Sequence, residues 1–164
     1  MGEVTVRRAS ADEVPLAGEL TYQAYLDGGF TTADDPYAAH LADAAPRFGG
    51  AELLVAVDAD GTVLGTVTVA PPGSSMINLA GPDELEFRML AVSPAARGRG
   101  VGEALVRAVL DRAGELGLPA VVLSSQPDMA AAHRLYRRFG FRRTPDRDWS
   151  PVPGETLVTF RLER

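Results

Sequence analysis

The feature that most constrains this chain is a strand, an arginine–glycine loop, a helix and a second strand, read in succession from Glu84 to Ser125. Leu85, Phe87 and Met89 alternate with Glu86 and Arg88, while Leu90-Ala91-Val92 is apolar on both faces, as a central strand should be. The period of two puts Glu86 on the face of Leu90. After Pro94, the loop Arg97-Gly98-Arg99-Gly100-Val101-Gly102 opens directly into an amphipathic helix. Val101, Leu105, Ala108 and Val109 form its apolar stripe, and Glu103 is spaced to pair with Arg107 on the wet side. Gly117 and Pro119 stop the helix, and Ala120 to Ser125 reads as a second buried strand. A right-handed crossover makes the two strands parallel.

Such a loop is a candidate anion site. Glycines permit unusual backbone angles, the first-turn N–H groups have no intrahelical acceptor, and Arg97 and Arg99 add positive charge. A pyrophosphate suits it. Two common phosphate loops do not fit: Gly-Lys-Ser/Thr is absent, and Glu103 stands where a dinucleotide fingerprint requires glycine.

The flanking segments extend the pattern into a mixed α/β sheet protein with helices on both faces. Val4 to Arg8 alternates as a strand, and Ser10 with Glu13 has capping-box spacing before a helix ending at Gly28-Gly29. Tyr37, Leu41 and Ala45 mark a second helix, closed by Pro46 and Gly49-Gly50. Glu52 to Val57 and Thr62 to Val69 form a hairpin, and Ala70 to Pro82 is a long surface loop. Asp128 is placed to cap a further helix stopped by Gly140, Asp146 to Gly154 is a loop carrying Trp149, and Thr156 to Leu162 is the last strand.

With 164 residues, the length suits one domain, residues 1–164. Sixteen arginines against 22 acidic residues give a net charge of -6, which disfavours general nucleic-acid binding. Cysteine is absent, removing disulfides, thiolate metal sites and a cysteine nucleophile. His40 has no partner at metal-ligand spacing, so no metal site is expected. With no signal-like N-terminus and no stretch of membrane-spanning length, a cytoplasmic protein with no membrane partner is expected.

On Arg97-Gly98-Arg99-Gly100-Val101-Gly102, together with MLAVSP before it and AAHRLYRRFGF after it, the chain resembles the GCN5-related N-acetyltransferases (GNAT). The strong part of the resemblance runs from Glu84 to Phe141. It implies a mainly antiparallel mixed sheet in which the two parallel strands splay apart to admit a thioester. It also implies that loop amides hold the pyrophosphate of acetyl-CoA, and that the backbone of Leu90, Ala91 and Val92 pairs with the pantetheine arm like an added strand.

The reaction so implied is attack of a primary amine on the thioester carbonyl. An alkyl amine with pKa near ~10.4 is almost wholly protonated at neutral pH, so a base is needed. Glu86 is the candidate, with Glu84 as substitute; the alternative for Glu86 is a surface strand carboxylate balanced by Arg88. Tyr136 matches the tyrosine that serves the family as acid toward the departing thiolate, and core packing is its alternative. The N–H of Leu90 or Val92 is placed to stabilise the oxyanion. His133 reads as a helix-surface residue or a lining of the cofactor channel. Ser124 and Ser125 stand where the family often has asparagine for pantetheine. Asp34, Asp35 and Tyr37 lie in the segment that gates the acceptor in the family, which makes them candidates for a cationic amine. Arg134, Arg137, Arg138, Arg142, Arg143 and Arg147 read as a solvated basic face.

The acceptor is a small molecule or peptide amine. A catalytically degenerate CoA-binding regulatory module is the alternative, and a nucleic-acid module built on the arginine cluster is a third reading that the charge disfavours. The last strands carry an apolar alternation that serves packing within one subunit or a homodimer equally well.

Overall fold

The computed structural model describes residues 3–164. Eight strands, β1 (Thr5–Arg8), β2 (Glu52–Val57), β3 (Val63–Ala70), β4 (Glu84–Val92), β5 (Ala120–Ser125), β6 (Arg142–Arg143), β7 (Trp149–Val152) and β8 (Glu155–Glu163), line up as β1-β2-β3-β4-β5-β8-β6, with β7 also paired to β8. All neighbours are antiparallel except β4 and β5. Those two are the strands joined through the arginine–glycine loop and its helix, α4 (Val101–Glu115).

The helices divide between the two faces. The α4 stripe of Val101, Leu105, Val106, Val109 and Ala113 packs on Val67, Val69, Leu85, Phe87, Val121 and Leu123, joined by Tyr136 of α5 (Ala130–Phe139) and by Phe141 and Phe160. Fully burying aliphatic side chains of this kind stabilises by about 1.5–3 kcal/mol each, so this face anchors the sheet. On the other face Ala17 of α1 (Val14–Asp27), with Ala9 and Ala44, covers Leu53, Val55 and Val57.

Local signals act largely as the sequence requires. The Ser10–Glu13 capping box forms, although it opens a 3-10 turn (Ala11–Glu13) that then runs into α1. In the β2–β3 turn, Asp58 Oδ1 accepts from the N–H groups of Asp60 and Thr62 at 2.9 and 3.0 Å, an Asx turn. Gly140, at φ 101°, caps α5.

Four local expectations are corrected. Pro46 does not close the second helical segment; after α2 (Pro36–Ala42) it sits in the first turn of a further helix, α3 (Ala45–Gly50), where its missing N–H costs nothing. The Asp128 side chain does not cap α5, whose N-cap is Met129. Glu103 pairs at 2.9 Å with Arg138 of α5 rather than with Arg107, because a tertiary neighbour is at hand. Trp149 lies in β7 instead of a loop, and its indole N–H donates to Ser124 Oγ at 2.9 Å.

Candidate active site

The site is a seam between β4 and β5. Their parallel pairing extends only from Glu84, Leu85 and Glu86 to Ala120, Val121 and Val122, although β4 continues to Val92 and β5 to Ser125. Beyond Glu86 the strands part. A cleft of about 620 Å³ opens there, lined by Leu90, Ala91 and Val92 of β4, by Arg97, Gly98, Gly100, Val101 and Gly102, by Tyr25 and Phe30, and by Met129, Ala132 and Leu135. Arg99 is not among the lining residues.

Gly98 and Gly100 have φ of 80° and 75°, and the conformation rather than crowding demands glycine there, since a Cβ at either would meet nothing within 4 Å. Gly102 has a different reason: a Cβ there would stand 3.1 Å from Leu135, so it sets the approach of α4 to α5. The first helical N–H bond back to this loop is that of Ala104 to Gly100, leaving the amides of Val101, Gly102 and Glu103 without helical acceptors. Arg97 forms a 2.9 Å ion pair with Asp27 at the end of α1, and both side chains are about half exposed, so the pair is readily exchanged for an anion. A pyrophosphate fits these donors.

Glu86 is fully buried. Its Oε1 accepts three backbone N–H bonds, from Asn78, Leu79 and Ala80 at 3.0, 2.8 and 3.0 Å, which fastens the 71–83 loop over β4. Among the described residues Oε2 has no protein partner, and Glu86 does not line the cleft. The expectation that Glu86 shares a face with Leu90 is corrected. β4 spans Arg88 to Ala91 while β3 spans only Thr68 to Thr66, a bulge at which Met89 takes φ 55°. The extra residue shifts the alternation, so Glu86, opposite Ala70, shares its face with Arg88 and Ala91. Nor is Glu86 an exposed carboxylate balanced by Arg88.

Glu84 is engaged elsewhere. Arg147 contacts both of its oxygens at 2.8 Å, Arg161 Nε reaches it at 2.8 Å, and the N–H of Gly81 donates at 2.9 Å. The Arg147 hydrogen bonds, with smaller help from Gly81 and Arg161, outweigh burial and hold its pKa at about 2. Glu84 is a structural anion.

Tyr136 is buried, with ring centroids 5.7, 5.9 and 6.0 Å from Phe87, Phe141 and Phe160, and it is not among the cleft-lining residues. Burial raises its phenol above the ordinary tyrosine range, so it keeps its proton at neutral pH. One turn earlier on α5, Ala132 does line the cleft. His133 is not on the helix surface: it is buried against Phe160 at 5.0 Å, and Nε2 lies 2.9 Å from Ser125 Oγ. Burial, reinforced by Arg137, pushes its imidazole down toward the neutral form.

The acceptor-side residues are placed as follows. Asp35 caps α2 through the N–H of Tyr37 and accepts from Thr31 Oγ1 at 3.1 Å, while Asp34 is exposed. The basic cluster is not uniformly solvated: Arg143 pairs with Asp148, Arg147 with Glu84 and Arg138 with Glu103. Arg47, which no sequence signal separates from surface arginines, is only 2% exposed. It donates to the carbonyls of His40, Leu41 and Asp43. Among the described residues no group of three His, Cys, Asp or Glu could hold a metal ion, and no helix is long and apolar enough to cross a membrane.

Comparison with known proteins agrees with this geometry. The sequence model described as "Acetyltransferase (GNAT) family" matches residues 19–141. An uncharacterized N-acetyltransferase of Schizosaccharomyces pombe is 34% identical over 148 residues, covering 90% of this chain and 84% of that protein. A mycothiol acetyltransferase of Pseudarthrobacter chlorophenolicus is 36% identical over 79% of this chain, which spans only 41% of that longer protein. Among solved structures, a GCN5-related N-acetyltransferase from Kribbella flavida superposes with a TM-score of 0.69 at 29% identity, covering 98% of each chain. An acetyltransferase from Salmonella typhimurium, solved with its cofactor acetyl-CoA, shares the fold at a TM-score of 0.66 and 23% identity over 98% of this chain and 94% of that one. The chain belongs to the GNAT acetyltransferase family and is an acyltransferase.

Proposed function

We propose that the chain is a single-domain N-acetyltransferase that moves the acetyl group of acetyl-CoA to a primary amine by direct attack. The observation that carries this reading is the open seam: beyond Glu86, the edge of β4 toward β5 has no strand partner and ends at the free amides of α4. An extended pantetheine arm suits the backbone of Leu90, Ala91 and Val92, and the pyrophosphate suits the loop from Arg97 to Gly102.

Glu86 is the base. Because Oε1 already accepts three N–H bonds, Oε2 is the atom that takes a proton from the ammonium, directly or through one water. The amine nitrogen then forms its bond to the thioester carbonyl carbon, and the N–H of Leu90 or Val92 stabilises the oxyanion. As the carbon–sulfur bond breaks, the proton of Tyr136 passes to the sulfur, the second proton of the attacking nitrogen restores the Tyr136 phenol through water, and Glu86 gives its proton to solvent, leaving a neutral amide and the free thiol. Tyr136 holds its proton at neutral pH and lies one turn along α5 from Ala132, which lines the cleft.

The test is thiol release from acetyl-CoA across amines, amino acids, polyamines and peptides. Acceptor-dependent release supports the enzyme. Tight acetyl-CoA binding without release on any acceptor would favour a regulatory module instead.

A further inference from the structure

Three buried side-chain atoms lack a protein hydrogen-bond partner among the described residues: Glu86 Oε2, Thr68 Oγ1 and Arg47 Nε. Two of them flank one residue, Arg88. Thr68 stands directly opposite Arg88 in the β3–β4 ladder, and Glu86 lies two residues from Arg88 on the same face. Arg47, of α3, is held at the end of α2, and its charge and that of Arg88 both act on the Tyr25 and Tyr37 phenols. Contacts fix this neighbourhood. The Arg88 guanidinium donates to the Met76 carbonyl at 3.1 Å, and the same loop is tied to the end of α3 by Ser74 Oγ, which donates to the Gly50 carbonyl at 2.5 Å.

Charge makes the cluster more specific. Arg47 and Arg88 belong to no ion pair among the described residues, in a chain with an acidic excess of six. Of the five N–H donors on Arg88, one at Nη1 goes to the Met76 carbonyl, and the Tyr37 hydroxyl is a second neighbour. Buried polar atoms are almost always satisfied by protein or water, so the open Glu86 Oε2 and Thr68 Oγ1 flanking an Arg88 guanidinium outside any ion pair mark a place suited to a polar ligand. Ala91 shares this face of β4 and, with Tyr25, lines the cofactor cleft, so the Glu86–Arg88 face adjoins that cleft although neither residue lines it.

We propose that the acceptor is an amino-acid-like zwitterion, its amine directed to Glu86 Oε2 and its carboxylate held by Arg88, with Thr68 and the charge of Arg47 in support. This deepens the N-acetyltransferase reading and rests on it. Two residues along a strand span about 6.8 Å, a separation that two long side chains converge across to hold the two charges of a small amino acid. A polyamine, or a peptide amine flanked by cations, would bring a second positive charge toward Arg88 with no carboxylate beyond Glu86 to meet it. Asp35, one of the candidates for a cationic amine, caps α2 through the N–H of Tyr37.

The experiment pairs each protein amino acid, β-alanine and γ-aminobutyrate with the amine left when its carboxylate is removed. Binding is read by calorimetry and acetyl transfer by thiol release, in the wild type, Arg88→Met and Arg88→Lys. At least one amino acid should be preferred over its amine on the order of 100-fold in Kd and in kcat/KM. Arg88→Met should collapse that ratio toward unity, and Arg88→Lys should retain part of it, which sets charge recognition apart from misfolding. Equal use of amine and amino acid, or a preference that survives Arg88→Met, would overturn the proposal. If the amino acid binds selectively through Arg88 but no thiol is released, the anion subsite stands and the transferase reading fails.

Discussion

Glu86 and Arg88 stand two residues apart on one face of β4 and do not pair. Glu86 gives one oxygen to three loop amides and keeps the other free, while Arg88 donates to the Met76 carbonyl. The two side chains share one strand face, and the 71–83 loop contacts both of them. The same contacts give Glu86 a structural duty, so its chemical role has to be separated from its anchoring role.

Glu86→Gln and Glu86→Ala make that separation. Glutamine keeps a carbonyl acceptor for the loop amides but cannot act as base, so kcat should fall about 100-fold or more while Tm moves little. Alanine leaves three buried N–H groups unpaired and should lower stability by about 1–3 kcal/mol or more in addition. Equal loss of activity and of Tm in both variants would make Glu86 a loop anchor only.

Tyr136→Phe preserves the ring that packs on Phe87, Phe141 and Phe160. Melting and acetyl-CoA affinity should stay near wild type while kcat drops roughly 10- to 100-fold. Unchanged turnover would return Tyr136 to the core and leave thiolate protonation to solvent.

Glycine substitutions should sort by geometry. A Cβ at Gly65 would stand 2.8 Å from Val101 and 2.9 Å from the Ala91 carbonyl, so Gly65→Ala should cost about 1–3 kcal/mol and weaken acetyl-CoA binding by displacing the start of α4. A methyl group added at Gly49, in α3, would meet nothing within 4 Å, and the residue has no positive φ, so Gly49→Ala should be neutral or stabilising by up to about 1 kcal/mol. Chemical denaturation and calorimetric titration of both variants check this, and equal destabilisation would contradict it.

Acid stability should depend on Glu84. Its folded pKa of about 2 lies below the ordinary glutamate value near ~4.3, so its ion pairs stabilise the fold above that ordinary value and are lost as pH falls through about 2. At pH 7 the contribution is roughly 3 kcal/mol. Glu84→Gln should therefore lower stability at neutral pH and converge on the wild type near pH 2. A stability gap that does not narrow with acid would place the effect elsewhere.

The strand–loop–helix–strand unit was legible because its signals are local: alternation along β4, glycines where φ is positive, and a stripe of period 3.6 along α4. The acceptor side was not. The bulge at Met89 leaves no residue-type signature, and it reverses which β4 residues share the face of Glu86. Burial of Arg47 depends on the carbonyls at the end of α2, and burial of His133 depends on Phe160 arriving from the last strand. Such contacts join residues far apart in the chain, where periodicity carries no information. Glu103 shows the same limit, since its partner comes from α5 and not from its own helix.

The central claim is acetyl transfer to nitrogen, and the direct measurement is mass-spectrometric identification of the products formed from acetyl-CoA and the acceptor panel. The account predicts an N-acetylated acceptor in equal amount to the free CoA released, with both lost in Glu86→Gln. Free CoA with no acetylated acceptor, or acetylation that persists undiminished in Glu86→Gln, would contradict it.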